Sequence, residues 1–392
     1  MFWALVAALG GVVFALVEAG SRLWIRRRSP YTVWPPGMRL EIRLARDLFP
    51  QLEPRVRFDI NADGERGGDV RDDEAGLCRI LAVGGSAVEC YALDQPTSWP
   101  GALERLLNEP AGLRALGAQR VHVGNIGHSG IGSADLDLIL ERVLPRYRHL
   151  DAILIMVGAS DVYHWLEDGA TPSRPPSPVP EELLFACYPG QRFGWKPSAL
   201  GLAEIARRLR RSWFHSLEVK ERAGAWFAAA RRMRAEATDV RTTMPDPTVV
   251  LSHFEHHFDR IVRRAKAHAD RVLVVRQPWF DKDYTAEEAA RFWHGGMGRP
   301  WKEKVSVYFG LALVNRLLGL VDARVVAVAD ALGVPHLDVR VLLNQGLLHF
   351  YDHDHYTPDG AAVIASAVAA ELTRTSASQA TRTSDTVSSV TW

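Results

Sequence analysis

Short apolar runs that stop abruptly in glycine and small polar residues recur along this chain and constrain its fold more than any other feature. Arg79-Ile80-Leu81-Ala82-Val83 ends in Gly84-Gly85-Ser86, Val121-His122-Val123 opens into Gly124-Asn125-Ile126-Gly127-His128-Ser129-Gly130, and Ala152-Ile153-Leu154-Ile155-Met156-Val157 gives way to Gly158-Ala159-Ser160-Asp161. Residues 271–276 read as a fourth strand, ending in Gln277-Pro278-Trp279, and residues 336–339 as the last. Strands alternating with helical stretches build an α/β fold around an open parallel sheet. The loops at the carboxyl ends of such strands gather on one edge, and ligands bind there. The 392 residues allow one large or two modest domains with a sizeable core.

The residues on that edge carry chemistry. Ser86 follows two glycines that let the chain turn sharply and leave room beside its hydroxyl. With Glu89 three positions on, Ser86 also fits a capping box, in which the hydroxyl would only satisfy a helix amide. The segment is not a G-x-S-x-G elbow, because Val88 stands where that motif requires glycine. Far downstream, Asp352 and His355 lie three positions apart in Tyr351-Asp352-His353-Asp354-His355-Tyr356-Thr357-Pro358. Thr357 suits the N-cap and Pro358 the first position of a helix expected over residues 361–372, so His355 is held close to a fixed helix end. A general base needs that fixity, and a carboxylate on its second nitrogen sets its tautomer. Backbone amides at Gly130, with the Ser160 side chain, are the components of an oxyanion hole.

Together these four segments, spanning about residues 79–372, resemble the SGNH hydrolases, also called the GDSL esterase/lipase family. The resemblance implies a three-layer, flavodoxin-like parallel sheet with a helical insertion. It makes Ser86 the nucleophile, Gly130 and Ser160 the oxyanion hole, and Asp352 and His355 the acid and base. Gly85 stands where the name-giving aspartate would be, as in a G-G-S branch of the family. Ser160 replaces the family's asparagine; a serine hydroxyl still donates, though from a shorter arm, and Asn125 in the neighbouring loop is the alternative donor. The implied activity is a serine esterase acting on an O-acyl, in first place O-acetyl, ester of a carbohydrate or lipid, with no metal or organic cofactor. An O-acyltransferase using the same triad and a catalytically silent scaffold in polysaccharide assembly are the competing expectations.

Other features bound the reading. Forty-seven basic and forty-six acidic residues give a formal charge of +1, so nothing points to nucleic acid. Cys78, Cys90 and Cys187 form an odd set without metal-ligand spacing. His253 and His257 share a helix face, but the glutamate of an H-E-x-x-H zinc motif is misplaced; His349, His353 and His355 with Asp352 and Asp354 could bind a divalent ion, but the serine and oxyanion segments explain that group better. Residues 2–19 are almost wholly apolar, so residues 1–25 are expected to be a single-pass membrane anchor; a cleaved signal peptide and a buried helix are the alternatives. Arg22, Arg26, Arg27 and Arg28 after it would place the following domain in the cytoplasm by the positive-inside rule. The resemblance to outward-facing anchored members places the domain extracytoplasmically, and that is the expectation adopted. Residues 26–75 read as a connector with a short hairpin over residues 57–67, and 76–375 as the hydrolase-like domain. Within it, an insertion at about 165–250 carries basic helices with a solvated face, and residues 280–304 look like a mobile lid, with Trp279 and Trp293 placed to stack on a sugar ring. A disordered tail is expected over residues 376–392.

Overall fold

The computed structural model describes residues 1–28, 30–71, 74–186, 200–214, 217–343 and 346–388. Cys187 lies outside them. The central sheet has five strands: β1 (Leu77–Gly84), β2 (Arg120–Asn125), β3 (Ala152–Met156), β4 (Arg271–Arg276) and β5 (His336–Asp338). All pair in parallel in the order β5-β4-β3-β1-β2, the flavodoxin-like arrangement. The helices that frame it and its site are α1 (Phe2–Arg28), α2 (Ser86–Glu89), α3 (Trp99–Leu107), α4 (Ser133–Val143), α5 (Ala159–Glu167), α6 (Thr248–His268), α7 (Leu311–Ala331) and α8 (Pro358–Ser388).

Alternation along the strands divides the core in two. Leu81, Val83, Ile153 and Ile155 face α4 to α7, where Leu136, Leu140, Phe254, Phe258, Leu317 and Val321 are buried with them. Ile80, Ala82, Leu154 and Met156 face the other way, against Trp99 and Leu103 of α3 and Ile364 and Val368 of α8. The expected three-layer α/β architecture is therefore observed. In α6 the buried residues Val250, Leu251, Phe254, Phe258, Ile261, Val262 and Ala265 recur at helical spacing and make one apolar stripe. Each of the larger of these side chains, Val, Leu, Ile and Phe, contributes about 1.5–3 kcal/mol on burial. Gly84 sets where β1 may end: a Cβ there would lie 1.9 Å from the carbonyl oxygen of Met156 on the neighbouring strand.

Several sequence expectations are corrected. The stretch expected to be a connector is built into the fold. Strands Arg39–Leu44 and Arg55–Asp59 pair antiparallel, and the first also pairs in parallel with Leu217–Ala223 from the insertion. The expected hairpin is present as a tight turn closed by an Ile60–Arg66 bridge. Within the insertion, Arg231 and Arg234 are not on a solvated face. Arg231 donates to the carbonyls of Leu48 and Arg291 at 2.8 and 2.9 Å, and Arg234 to those of His294 and Phe309. A buried guanidinium is tolerable only where its donors are satisfied, and these carbonyls satisfy them. They fasten residues 280–304, which form a packed segment and not an open lid: Phe280 and Phe292 are fully buried and Trp293 is 8% exposed. Helix α8 runs on through Ser388, into the stretch expected as a disordered tail; residues 389–392 lie outside the described residues.

Among the described residues one helix is long and apolar enough to cross a membrane, over Phe2–Ile25. Its 24 residues span about 36 Å, against a hydrocarbon core of about 30 Å. A signal sequence near an N-terminus has the same character. At its inner end Glu18 accepts from the amides of Gly201 and Leu202 at 2.8 and 3.1 Å and pairs with Arg22. Those amides open helix Gly201–Phe214, so the apolar helix is docked on the insertion.

Candidate active site

β1 delivers Ser86 to the sheet edge. Ser86 is the first residue of α2, and its hydroxyl does not cap that helix. Ser86 Oγ instead lies 2.8 Å from His355 Nε2, which can accept its proton. Glu89 does not close a capping box either, because its carboxylate accepts from the Ser129 amide in the loop after β2. The turn is held from beneath by Arg66. This fully buried guanidinium donates to the carbonyls of Glu89, Cys90 and Leu93 at 2.6, 2.9 and 2.6 Å and lies over the Phe58 ring. The segment expected to be a mere connector thus fixes the backbone behind the serine.

Asp352 and His355 sit in a loop closed by a Phe350–Tyr356 bridge and by the Tyr351 amide donating to the His355 carbonyl at 3.1 Å. Thr357 caps α8, accepting from the Gly360 amide at 3.2 Å, and Gly360 is required because a Cβ there would lie 2.3 Å from the His349 carbonyl. Asp352 is fully buried. It accepts from the amides of Asp354 and His355 at 3.1 and 2.9 Å, from Trp293 Nε1 at 3.1 Å and from His355 Nδ1 at 2.8 Å. Burial alone would raise the Asp352 carboxyl, but the charge and hydrogen bond of His355 hold it well below the usual carboxylate range. For His355 burial works the other way; Asp352 and then Asp354 outweigh it and raise the imidazole to about 9.

The remaining site residues predicted from sequence divide into those the fold brings to Ser86 and those it does not. Gly130 adopts φ +71° in the loop after β2, with open space beside its Cα. Ser160, near the start of α5, places its Oγ 3.5 Å from where a Cβ on Gly85 would sit. Both line the same cavity as Ser86 and His355. Asn125 does not: its Nδ2 donates to the Val88 carbonyl and its Oδ1 accepts from Gly127, each at 2.8 Å, so its amide is spent on joining two loops. Trp279 is buried elsewhere, beneath the Arg340 guanidinium, and offers no sugar platform in this cavity. Trp293 does line the cavity, while its indole nitrogen serves Asp352. Of the histidines weighed as metal ligands, His257 is paired with the buried Asp137 of α4 at 3.0 Å. His353 bridges Tyr163 and Asn315, at 2.7 Å on each ring nitrogen. Asn315 Nδ2 donates to Asp281, so its Oδ1 faces His353; Nε2 carries the proton and Nδ1 accepts from the tyrosine. Burial lowers His353 to about 3, consistent with a neutral structural ring.

The cavity holds about 530 Å³. One wall is aromatic, built from Phe49, Trp226, Phe227, Trp293, Trp301 and Tyr351, and the other is the α5 stripe Ser160, Tyr163, His164 and Glu167. The stripe has i, i+3, i+4, i+7 spacing and was readable as one helix face once Ser160 was placed on it. Burial pushes Glu167 up to about 8 and His164 down to about 4, so both are near neutral. Trp226 and His294 also line the cavity and were not singled out as site residues in the sequence; Asp354, weighed there only as a metal ligand, lines it too. His294 and Trp226 come from stretches with no strand–glycine signature, and their place in the site follows only from packing. A serine beside a carboxylate-oriented imidazole, in a cavity with hydroxyl and amide donors opposite, has the parts for acyl transfer.

No family model matches the chain, and a search of curated proteins finds no match. Solved structures to which it is similar are GDSL lipolytic proteins and esterases. One is LAE5, an α/β hydrolase enzyme from the metagenome of Lake Arreo, at 13% identity over 75% of this chain and 94% of that one, with a TM-score of 0.41. A lipolytic protein of the G-D-S-L family from Veillonella parvula matches at 10% identity over 74% and 94%, TM-score 0.38. Axe2, an acetylxylan esterase from Geobacillus stearothermophilus, matches at 14% identity over 74% and 91%, TM-score 0.38.

Proposed function

We propose that this chain is a serine esterase of the SGNH type, hydrolysing an O-acyl, in first place O-acetyl, ester of a carbohydrate or lipid. The observation that carries this reading is the unbroken relay from buried Asp352 through His355 to Ser86, with 2.8 Å at each step. Ser86 Oγ attacks the ester carbonyl carbon while His355 Nε2 takes its proton. Negative charge developing on the carbonyl oxygen is met by the Gly130 amide, the Ser160 hydroxyl and the amide of Ala87 after the nucleophile. The tetrahedral intermediate collapses, the leaving alkoxide takes the proton from His355, and an acyl-serine remains. Water, deprotonated by the same imidazole, then releases the acid and restores Ser86. Asp352 stabilises the imidazolium in both halves. In this reading α1 is a single-pass anchor and the body that follows is extracytoplasmic, where polysaccharide and lipid esters are found.

Labelling with a fluorophosphonate probe tests the reading directly. Wild-type protein should label, and Ser86→Ala and His355→Ala should not. Unlabelled wild-type protein of intact fold would refute it. An acyltransferase would use the same groups with a sugar hydroxyl in place of water, and turnover of nitrophenyl acetate with and without sugar acceptors separates the two.

A further inference from the structure

Beside the relay lies a second set of groups that the acyl-transfer steps leave unused. Asp354 is 2% exposed, and its Oδ1 has no hydrogen-bond partner; its other oxygen has only Gln277 Nε2 at 3.5 Å. That orphaned oxygen lies 3.7 Å from His294 Nε2 and 3.5 Å from His355 Nδ1. His294 is 8% exposed, and its own Nδ1 is also without a hydrogen-bond partner. One donor atom from each of the three residues falls within 4.8 Å of the others, and all three residues line the cavity. Leaving a buried polar atom unsatisfied costs about 1–3 kcal/mol. The Asp354 oxygen, facing His294 Nε2 and His355 Nδ1, is an atom that a cation between them would satisfy.

We propose that His294, Asp354 and His355 bind a divalent transition cation, zinc in the first place, which enters through the cavity and switches the relay off. Two imidazoles and a carboxylate are a zinc donor set, with a fourth position left open to the cavity. Tetrahedral ligands on bonds of about 2.0–2.1 Å stand about 3.3–3.4 Å apart; two of the three separations, 3.5 and 3.7 Å, are close to that, the third is within 4.8 Å, and Asp352, 2.8 Å from His355 Nδ1, must draw back to admit the ion. Magnesium and calcium prefer all-oxygen shells and are poorly served here. The neighbouring Asp352 supplies a second negative charge, so the dication enters without leaving net buried charge. Binding at His355 needs the Nδ1 lone pair, so the ring proton that this nitrogen donates to Asp352 moves to Nε2. An imidazole bound to metal through Nδ1 and protonated on Nε2 cannot accept from Ser86. The binding stands on geometry alone, and only its effect on turnover rests on the esterase reading.

The test uses the full chain in detergent, stripped with a chelator and dialysed against zinc, with visible absorption of the cobalt(II) form as a second readout. Wild type and Ser86→Ala should each bind one zinc per chain and give the band of tetrahedral, imidazole-liganded cobalt. His294→Gln and Asp354→Asn should each weaken binding by at least about 10-fold. His149→Ala, which removes a ligand from the exposed His149, Asp151 and Asp270 group, should leave the site intact. Zinc should slow nitrophenyl acetate turnover by wild type, and chelator should restore it. No zinc bound at up to about 0.1 mM, equal binding by His294→Gln and wild type, or loss only in His149→Ala would overturn the site. Should either cluster variant fail to fold, the cobalt spectrum of Ser86→Ala still decides, because a spectrum without imidazole ligation also overturns it. Zinc binding in a protein that fluorophosphonate does not label would keep the site and remove the inhibitory role.

Discussion

Replacing Ser160 by alanine removes one hydroxyl from the wall facing Ser86 and leaves the relay of Asp352, His355 and Ser86 intact. Ser160 Oγ lies 3.5 Å from the position of a Cβ on Gly85, so it looks across the backbone that carries the nucleophile. A well-aimed oxyanion donor is worth about 10² to 10³ in kcat. Ser160 is only half-buried, and water reaching the cavity can partly replace it. The expected loss therefore falls at or below the lower limit of that range, about 10- to 100-fold in kcat, or about 1.4–2.7 kcal/mol. KM should stay within about twofold, because the hydrogen bond strengthens only as charge develops in the transition state. Ser160→Asn offers an amide donor on a longer arm and should match or exceed wild type. The assay is nitrophenyl acetate hydrolysis with full kcat and KM determination on protein verified as folded. A Ser160→Ala enzyme with unchanged kcat would refute the assignment of this hydroxyl to the oxyanion.

Three further outcomes follow from the same structure. A general base must be neutral to act, and His355 is raised to about 9, so kcat/KM should climb through the alkaline range toward pH 9. Burial pushes Asp354 up to about 7, so above that pH it is charged and helps hold the proton on His355; Asp354→Asn should move the midpoint downward, and an unmoved pH–rate profile would count against the coupling. The buried ion pairs of Glu65 with His122 and Arg79, both at 3.0 Å, should make Glu65→Gln destabilising by about 3–5 kcal/mol in denaturant unfolding. Burial opposes protonation of His122, but Glu104 and Glu65 raise it to about 9 from an ordinary 6.5, so its contribution is complete below pH 6.5 and fades as pH rises through 9. Thermal unfolding across that window should show the decline in wild type and a smaller one in Glu65→Gln, where Glu104 still faces His122. Gly84→Ala, whose Cβ would meet the Met156 carbonyl at 1.9 Å, should cost about 3 kcal/mol or more and lower the yield of folded protein; a wild-type Tm would show that β1 can shift to make room.

The parts of this molecule that were legible in its sequence are those whose cause is local. A run such as 79–83 followed by Gly84 and Gly85 states both the strand and its end, because the same few residues determine conformation and packing density. Thr357 and Pro358 announce α8 for the same reason, and His355 is positioned by a helix start two residues away. The sequence could not decide between a capping and a free Ser86 hydroxyl, because the outcome depends on His355, 269 positions away. Arg231 and Arg234 read as solvated for a related reason. Helical periodicity shows which residues share a face, but the carbonyls of Leu48, His294 and Phe309 that bury this face belong to distant segments with no period of their own.

This division has a functional consequence. The groups proposed to react sit on strand ends and near a helix start, the most strongly specified backbone in the fold, as the proposed chemistry requires. The aromatic wall comes from segments outside the central sheet: Phe49 from the stretch before β1, Trp226 and Phe227 from the insertion, and Trp293 and Trp301 from residues 280–304. Those segments pack on the core through residues such as Phe49, Phe280 and Phe292 and are tied together by Arg231, whose donors reach Leu48, Arg291 and Tyr351 at once. Substrate choice can therefore change with the wall while Ser86 and His355 keep their geometry. Trp226→Ala and Trp301→Ala should alter the ratio of kcat/KM between a short and a long acyl ester, measured on nitrophenyl acetate and nitrophenyl octanoate, with fluorophosphonate labelling of Ser86 unchanged. Both indoles are more than a third exposed, so truncating them should leave the fold in place. An unchanged ratio in both variants would mean that the wall does not touch the acyl group, and that selectivity lies instead with the α5 stripe of Tyr163, His164 and Glu167.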